Sequence, residues 1–518
     1  MKKTISIKDH ANRFDDYGRF IIADFDHKRP FSSFLPGIAG LHGIPMWVFY
    51  VNRGQAVCSF GVENKDHPIL EFQAANKAYQ NTRLDGFRTF ITGIRDGREW
   101  HRECFSPWHA DDVQRKMFIG MNELEIEEVN LKLGYQFNVL YFMLPNFPFS
   151  GLVRKIHLKN LQETPLRTEI LDGLPTVVPY GVDDGALKNI SRTIEAWMQV
   201  DNVEGKLPFY RLKATPGDVA EVRAIRAGNY ALAFDDTFLP VIADPSVIFG
   251  QDTGFSDAHL FYERGLQAVL DTPQTLEGRS LCAFFGGSTT IEPGEVWTIT
   301  SIYGYSKSLS SIQSWAERLR SPAIMDQKFL LARGLTEDLT RAVRTQSASQ
   351  TFDGYSRQTF LDNFIRGGYP LALGDRHITH VYSRKHGDLE RDYNYFVIPA
   401  EYYSQGNGNY RDVNQNRRSD VYFLPQAGEF NIRIFMSLIQ ADGYNPLVIN
   451  GLTFSLPKEH IENLLVYADK KIILEKVLSR QFTPGEVYEA ALDAGISIPA
   501  EVFMERVFSK AESHIQAE

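Results

Sequence analysis

The densest run of hydrogen-bonding side chains is Tyr402-Tyr403-Ser404-Gln405-Gly406-Asn407-Gly408-Asn409-Tyr410-Arg411-Asp412-Val413-Asn414-Gln415-Asn416-Arg417-Arg418. Small Gly and Asn residues form a loop, and Arg411, Asp412, Asn414 and Gln415 follow in quick succession. A pyranose hydroxyl donates and accepts at once, so Asp, Asn, Gln and Arg are its matching groups, with Tyr as a flat platform. A solvated loop closed by an Arg–Asp ion pair accounts for the same residues equally well. The residues alone leave both readings open.

Other chemistry finds less support. His377 and His380 stand three apart, a metal-ligand spacing on a helix, but the intervening Ile378 and Thr379 are β-branched and point to a strand without an acidic partner pattern. Gly286-Gly287-Ser288 lacks the Gly-x-Ser-x-Gly elbow of a serine hydrolase. No pair of carboxylates stands out as the two flanking groups of an ordinary glycosidase. A second dense segment runs from Phe34-Leu35-Pro36-Gly37 through Gly43-Ile44-Pro45-Met46-Trp47-Val48-Phe49-Tyr50-Val51 to Asn52-Arg53-Gly54-Gln55. Its glycines match neither a phosphate-binding loop nor a dinucleotide fingerprint, and tight turns around an apolar strand explain nearly all of it.

The elements that must hold these residues change character along the chain. From about residue 15 to about residue 305, short apolar or alternating runs are punctuated by Gly, Pro, Asn and Asp, which predicts strands at Met46 to Val51, Phe137 to Leu144, Ile156 to Lys159, Tyr230 to Phe234 and Val296 to Tyr303. So many strands without long helices between them predict stacked antiparallel sheets in one large β-sandwich. After Tyr305, Ile312, Trp315, Ala316 and Leu319 fall on one helical stripe. A second helix is expected from the Thr336 to Asp338 start, and a third near Tyr355 to Ile365, stopped by Gly367-Gly368. Thr483-Pro484-Gly485-Glu486 has capping-box spacing with Pro at the first helical position, predicting a helix to Asp493. The amphipathic helices from about Ile461 each need a partner surface, which suggests a helical domain cut short at Glu518.

Composition bounds the possibilities. A chain of 518 residues with 43% hydrophobic and 13% aromatic content is globular and too long for one core. A net charge of -9 disfavours nucleic acid as a partner. Cys58, Cys104 and Cys282 are too few and too scattered for a disulfide scaffold or structural zinc, which fits a reducing compartment. Met1-Lys2-Lys3 leads into no apolar stretch, and no segment approaches the ~20 apolar residues of a membrane span. A cytoplasmic protein is expected.

The run from Leu35 to Phe90, with Trp47 to Gln55, Lys65-Asp66 and Asn76 to Gln80, resembles the N-terminal part of the large bacterial β-glucan phosphorylases of the cellobiose phosphorylase type, in particular the 1,2-β- and 1,3-β-oligoglucan phosphorylases. Tyr402 to Gln415 is similar too. The resemblance implies a β-sandwich over 1–305, a helical linker over 306–370, and the start of an incomplete α/α toroid over 371–518. It implies that Arg411, Asp412, Asn414 and Gln415 hold sugar on the non-reducing side of the scissile bond. It further implies an inverting phosphorolysis of β-glucan oligosaccharides to glucose 1-phosphate, with inorganic phosphate as co-substrate, no cofactor, no metal, and a homodimer. One carboxylic acid suffices for that reaction, because phosphate is already an anionic nucleophile that only needs positioning. The family's acid lies in a Tyr-Asp-Ala-Leu-Asn or Trp-Asn-Asp type of motif, and neither occurs here. No catalytic residue is therefore assigned: the general acid is expected outside this chain, in a missing C-terminal part or on a separate C-terminal half. The alternative is a non-catalytic β-glucan-binding protein. Asp412 itself is a poor candidate acid, since a neighbouring Arg411 favours its charged form.

Overall fold

The computed structural model describes residues 13–215, 224–385 and 395–518. The larger sheet has ten antiparallel strands, in the order Arg13–Phe14, Phe20–Ala23, Gln114–Ile119, Glu123–Asn130, Tyr135–Met143, Leu152–Asn160, Val296–Ser306, Gly228–Phe234, Phe209–Leu212 and Met198–Asp201. A five-stranded sheet runs Val241–Ile242, Leu281–Ile291, Leu166–Val177, Arg88–Arg95, Arg98–Glu103. A smaller four-stranded sheet joins Ser32–Leu35, Trp47–Val51, Val57–Gly61 and Pro68–Leu70. One continuous core lies between them: Phe137, Tyr141, Ile156 and Tyr303 of the large sheet meet Ile170, Leu174 and Phe285 of the second and Val48 and Phe60 of the third.

The strands form where the pattern demands it. In Glu123–Asn130, Leu124 and Ile126 point into the core while Glu125 and Glu127 alternate outwards. Tyr135–Met143 alternates only at first and is then buried continuously, because the large sheet is covered on its outer face as well. Ile312 and Leu319 of the Leu309–Leu319 helix pack there on Phe142, Val153 and Ile302. Trp315, on the same stripe, sets its ring edge-on to Phe147 at 5.2 Å. The apolar stripe is thus the surface that welds the linker to the sandwich. The outer face of the second sheet is closed in the same way, with Phe90, Leu171 and Phe284 covered by Val247, Phe249 and Phe261 of two short helices.

The second linker helix differs from expectation. It spans Pro322–Thr340, with Ser321 accepting from the Ile324 N–H and Pro322 at the first position, so Thr336 lies inside it. The Ser-Pro pair is the stronger start signal, since it supplies both a cap and a fixed backbone angle. The third helix, Gln350–Phe364, starts at the Ser349 cap.

Beyond it, a hairpin pairs Tyr369–Leu373 with His377–Val381, and a three-stranded sheet joins Gly408–Asn409, Val448–Ser455 and Glu512–Ala517. His377 and His380 accordingly sit in a strand and part company: one ring nitrogen of His377 bonds the Ala511 carbonyl at 2.9 Å, and one of His380 bonds Asp420 at 2.7 Å. The helices Lys458–Leu465, Lys471–Leu478, Pro484–Ala494 and Ala500–Phe508 share a core built on Phe454, Leu474, Phe482, Val487, Phe503 and Phe508. The amphipathic faces expected to need partners find them in one another. Thr483 and Glu486 make the full capping box at the start of Pro484–Ala494, and Gly495 ends it at φ 64°. The sandwich is therefore followed by a helical region carrying a small sheet of its own.

Inside the sandwich, Gln55 joins a buried polar network. Arg154 pairs with Asp172, Thr89 donates to Asp172 at 2.6 Å, Gln55 donates to Thr89 at 2.9 Å, and the Arg154 guanidinium lies over the Phe87 ring at 5.0 Å. A buried pair is costly to break, because the abandoned charge stays in low dielectric. Arg154→Met is expected to lower stability by about 3–5 kcal/mol. Adding Asp172→Leu to it should restore a good part of the loss, as read by the chemical denaturation midpoint.

Candidate functional site

The segment from Phe34 to Met46 forms the joint between sandwich and helical region. Gly37 (φ 68°) and Gly40 (φ 84°) take left-handed backbone, and a Cβ on either would strike Met46 O at 1.8 Å or Asn146 Oδ1 at 2.3 Å. Arg384 reaches into this loop from beyond the hairpin, donating to Pro36 O at 2.9 Å and Leu35 O at 3.2 Å, and stacks on Phe34 at 3.8 Å. Phe396 inserts between Trp47 and Phe49, with centroids 5.7 and 5.6 Å away. The Ile398 N–H then donates to Glu63 O at 2.6 Å. The apolar strand of the first dense segment is thus the seat for the chain that leads into the second.

That second segment divides in two. Its first half is buried and satisfied by its own surroundings: Ser404 donates to Pro399 O at 2.7 Å, Asn407 accepts from the Val397 N–H at 2.9 Å, and Gln405 both donates to Leu452 O and accepts from Leu452 N–H at 3.1 Å. Gly406 is required there, since a Cβ would lie 1.8 Å from Ser383 O. The second half is the Tyr410–Arg417 helix, anchored by Val413 against Phe435 and Ile449. Arg411, Asp412, Asn414 and Gln415 occupy positions i, i+1, i+3 and i+4 and face outwards. The Arg411 side chain is 90% exposed and its Nε lies 3.5 Å from Asp412 Oδ1, while Asn409 donates to Asp412 Oδ2 at 3.3 Å. Asp412 sits in the first helical turn, where the free N–H groups favour a carboxylate. The structure therefore brings the four residues together on one open face, with the Arg–Asp pair in place.

An exposed apolar surface adjoins them. Tyr410 contacts Phe435 at 5.5 Å, so the Tyr410–Arg417 and Phe430–Ser437 helices pack together. The outward side of the latter shows Ile432 (66% exposed) and Met436 (62%), and the preceding turn shows Tyr422 (83%).

A cavity of about 310 Å³ opens where the joint, the hairpin turn and the Ala500–Phe508 helix meet. Leu41, Leu371, Met504 and Phe508 floor it, and Tyr403, Asp375, Glu501 and Glu505 supply its polar groups. Tyr403 stands at φ 49°, strained for a residue with a Cβ, and its hydroxyl lies 3.1 Å from His42 Nε2. His42 in turn stacks flat on Tyr488 at 4.5 Å. Burial lowers the His42 pKa, with Glu501 opposing, which keeps the imidazole available as a neutral hydrogen-bonding group. Three carboxylates and a phenol over an apolar floor suit a neutral polyhydroxy ligand; with no Arg or Lys in the lining, nothing there would hold phosphate. Arg411, Asp412, Asn414 and Gln415 do not line this cavity. Of the sequence-derived segment, only Tyr403 does.

Sequence reasoning missed His42, Glu501 and Glu401. Glu401 is held by burial with its pKa raised to about 7, against the Thr483 hydroxyl that donates to it at 2.8 Å and with Glu486 adding repulsion. Nothing local marks it, for its environment is assembled by residues more than eighty positions away.

No family model matches the chain, and no match is found among curated proteins. Among solved structures it is similar to a bacterial glucoamylase complexed with acarbose, at 9% identity and a TM-score of 0.38, over 92% of this chain and 65% of that one. It is similar to a provisionally assigned kojibiose phosphorylase from the human microbiome at 10% identity and a TM-score of 0.22, over 67% of this chain and 32% of that one. It is also similar to a galactose mutarotase-like protein from Clostridium acetobutylicum at 8% identity and a TM-score of 0.28, over 56% of this chain and 98% of that one. The chain thus spans about 65% of the glucoamylase it matches. These neighbours fall among carbohydrate-active and mutarotase-like proteins; likeness at this level is one of layering and carries no chemistry.

Because Glu401 has its folded pKa raised, the folded state binds a proton more tightly than the unfolded chain between the ordinary carboxylate range and about 7, so stability falls as pH rises through that window. Glu401→Gln, which mimics the protonated form, is expected to raise the thermal midpoint at pH 8 by the equivalent of ~1–3 kcal/mol. At pH 4 the difference from the unaltered protein should vanish.

Proposed function

We propose that this chain is the sugar-gripping N-terminal part of an inverting β-glucan oligosaccharide phosphorylase, with proton delivery and phosphate binding supplied by residues outside it. The observation that carries the reading is the open face of the Tyr410–Arg417 helix, where Arg411, Asp412, Asn414 and Gln415 stand together beside the exposed Ile432 and Met436. Paired donors and acceptors of that kind recognise hydroxyls. An apolar rim next to them suits a further protein surface that would close over the sugar. The protein acts in carbohydrate processing, on this reading, and the glycosyl acceptor is phosphate. A homodimer is proposed with it on the family resemblance alone, and a cytoplasmic location on the few, scattered cysteines.

The acidic lining of the Tyr403 cavity favours a second reading, a β-glucan-binding protein without catalysis, because a phosphorolytic site needs cationic donors that this cavity does not have. The two readings separate on a partner. Incubated alone with β-glucan oligosaccharides and phosphate, the chain is expected to release no glucose 1-phosphate while still binding oligosaccharide. Asp412→Asn and Arg411→Ala should each weaken that binding by about tenfold, measured by calorimetry. Release of glucose 1-phosphate by the unaided chain would sink both readings, and unaltered affinity in both variants would remove the helix face from the site.

A further inference from the structure

We propose that the sandwich carries its own saccharide-binding site, at the edge of the five-stranded sheet, which takes a short neutral oligosaccharide. A cavity of about 330 Å³ lies there, among the Arg98–Glu103 edge strand, the Ala75–Asp85 helix, the turn around Trp108 and the residues that precede the His259–Arg264 helix. Its volume falls at the small end of ligand pockets, ~300–1,000 Å³.

Three features point to a sugar. Trp108, 74% exposed, offers a large flat ring at the rim, and Arg83 lies over that ring at 5.2 Å. An indole left open to solvent beside polar groups is a platform for the apolar face of a pyranose, and apolar burial in the folded core gives no reason for it to be there. Arg102 has only 9% of its side chain exposed, with Nη2 3.5 Å from Asp112 Oδ2. Its Nε is buried with no partner among the described residues, and so is the Nε of Arg83 in the same lining. Both arginines line the cavity, and the remaining N–H groups of their guanidinium heads can donate to a ligand oxygen there. Finally, the two guanidinium groups face two carboxylates, Glu103 and Asp257. Glu103 is already engaged by Arg88 at 2.6 Å and lies 3.7 Å from Arg83. A small anion would meet those carboxylates at close range, whereas hydroxyl groups can accept from the arginines and donate to the acids at once. Tyr262 completes the wall, its ring 4.8 Å from that of His101.

The site shares no residue with the Tyr403 cavity or with the Tyr410–Arg417 helix, so it stands or falls separately from the proposed function. The test is calorimetric titration of the full chain with cellotetraose, laminaritetraose and inorganic phosphate. Trp108→Ala and Asp257→Ala, both surface changes, are each expected to weaken or abolish one class of tetraose binding by about tenfold or more. Tyr403→Ala and Asp412→Asn should leave that class intact. Undiminished tetraose binding in both sandwich variants would overturn the proposal, as would an absence of tetraose binding to the unaltered chain. Phosphate that bound and was lost in Trp108→Ala or Asp257→Ala, with no tetraose doing so, would assign the cavity to an anion instead and equally overturn it.

Discussion

One buried guanidinium fixes how the helical region sits on the sandwich. Arg384 lies fully within the protein, where loss of water pulls its pKa down to about 9 despite the opposing charge of Asp362. Its stacking on Phe34 and its bonds to the Leu35 and Pro36 carbonyls offset part of that cost, while its Nε and Nη2 have no partner among the described residues. So expensive a group is tolerable only where the surroundings hold it from several sides. Here they do: Gly37 and Gly40 let the loop turn beneath it, the Tyr382 N–H bonds Ser404 O at 2.9 Å, and the Tyr403 N–H bonds Leu41 O at 2.8 Å. Tyr403 and Arg384 of the helical region are tied to the Phe34–Met46 loop through this joint.

The consequence is a division of labour within one stretch of sequence. Residues 402–409 look like a sugar loop but spend their hydrogen bonds on the protein, locking the Val448–Ser455 strand through Gln405 at the irregular Gly451. Residues 410–417 form a helix whose Arg411, Asn414 and Gln415 side chains stand exposed to solvent. The buried bonds of the first half fix where the second begins, so the same composition reads first as buried structure and then as an open polar face.

Much of the sandwich was legible because alternation is a local property: Leu124 and Ile126 against Glu125 and Glu127 leave little choice of face. The Thr483 capping box was legible for the same reason. What stayed hidden is nonlocal. The Val448–Ser455 and Glu512–Ala517 pairing joins segments about sixty residues apart, and neither announces its partner. The seat of Phe396 between Trp47 and Phe49, and the stack of His42 on Tyr488, link the two ends of the chain and leave no periodic trace. Of the candidate site, composition revealed the polar face of the Tyr410–Arg417 helix. It gave no sign of the Tyr403 cavity, whose acids come from the hairpin turn and the Ala500–Phe508 helix.

Proton transfer sets the limit on what these residues can do. A phosphorylase must deliver a proton to the departing oxygen, and a donor must be both protonated near neutral pH and within reach of the bond. Glu401 meets the first condition through burial. It fails the second: Thr483 engages it, Gly485 has no room for a Cβ beside its carboxyl carbon at 3.2 Å, and it lines neither cavity. Asp412 meets the second condition better, on an open face beside Arg411 at 3.5 Å. Burial and access thus fall on different carboxyl groups. Burial raises the Glu401 pKa only by closing that carboxyl group off from any bound molecule, so the two conditions work against each other there.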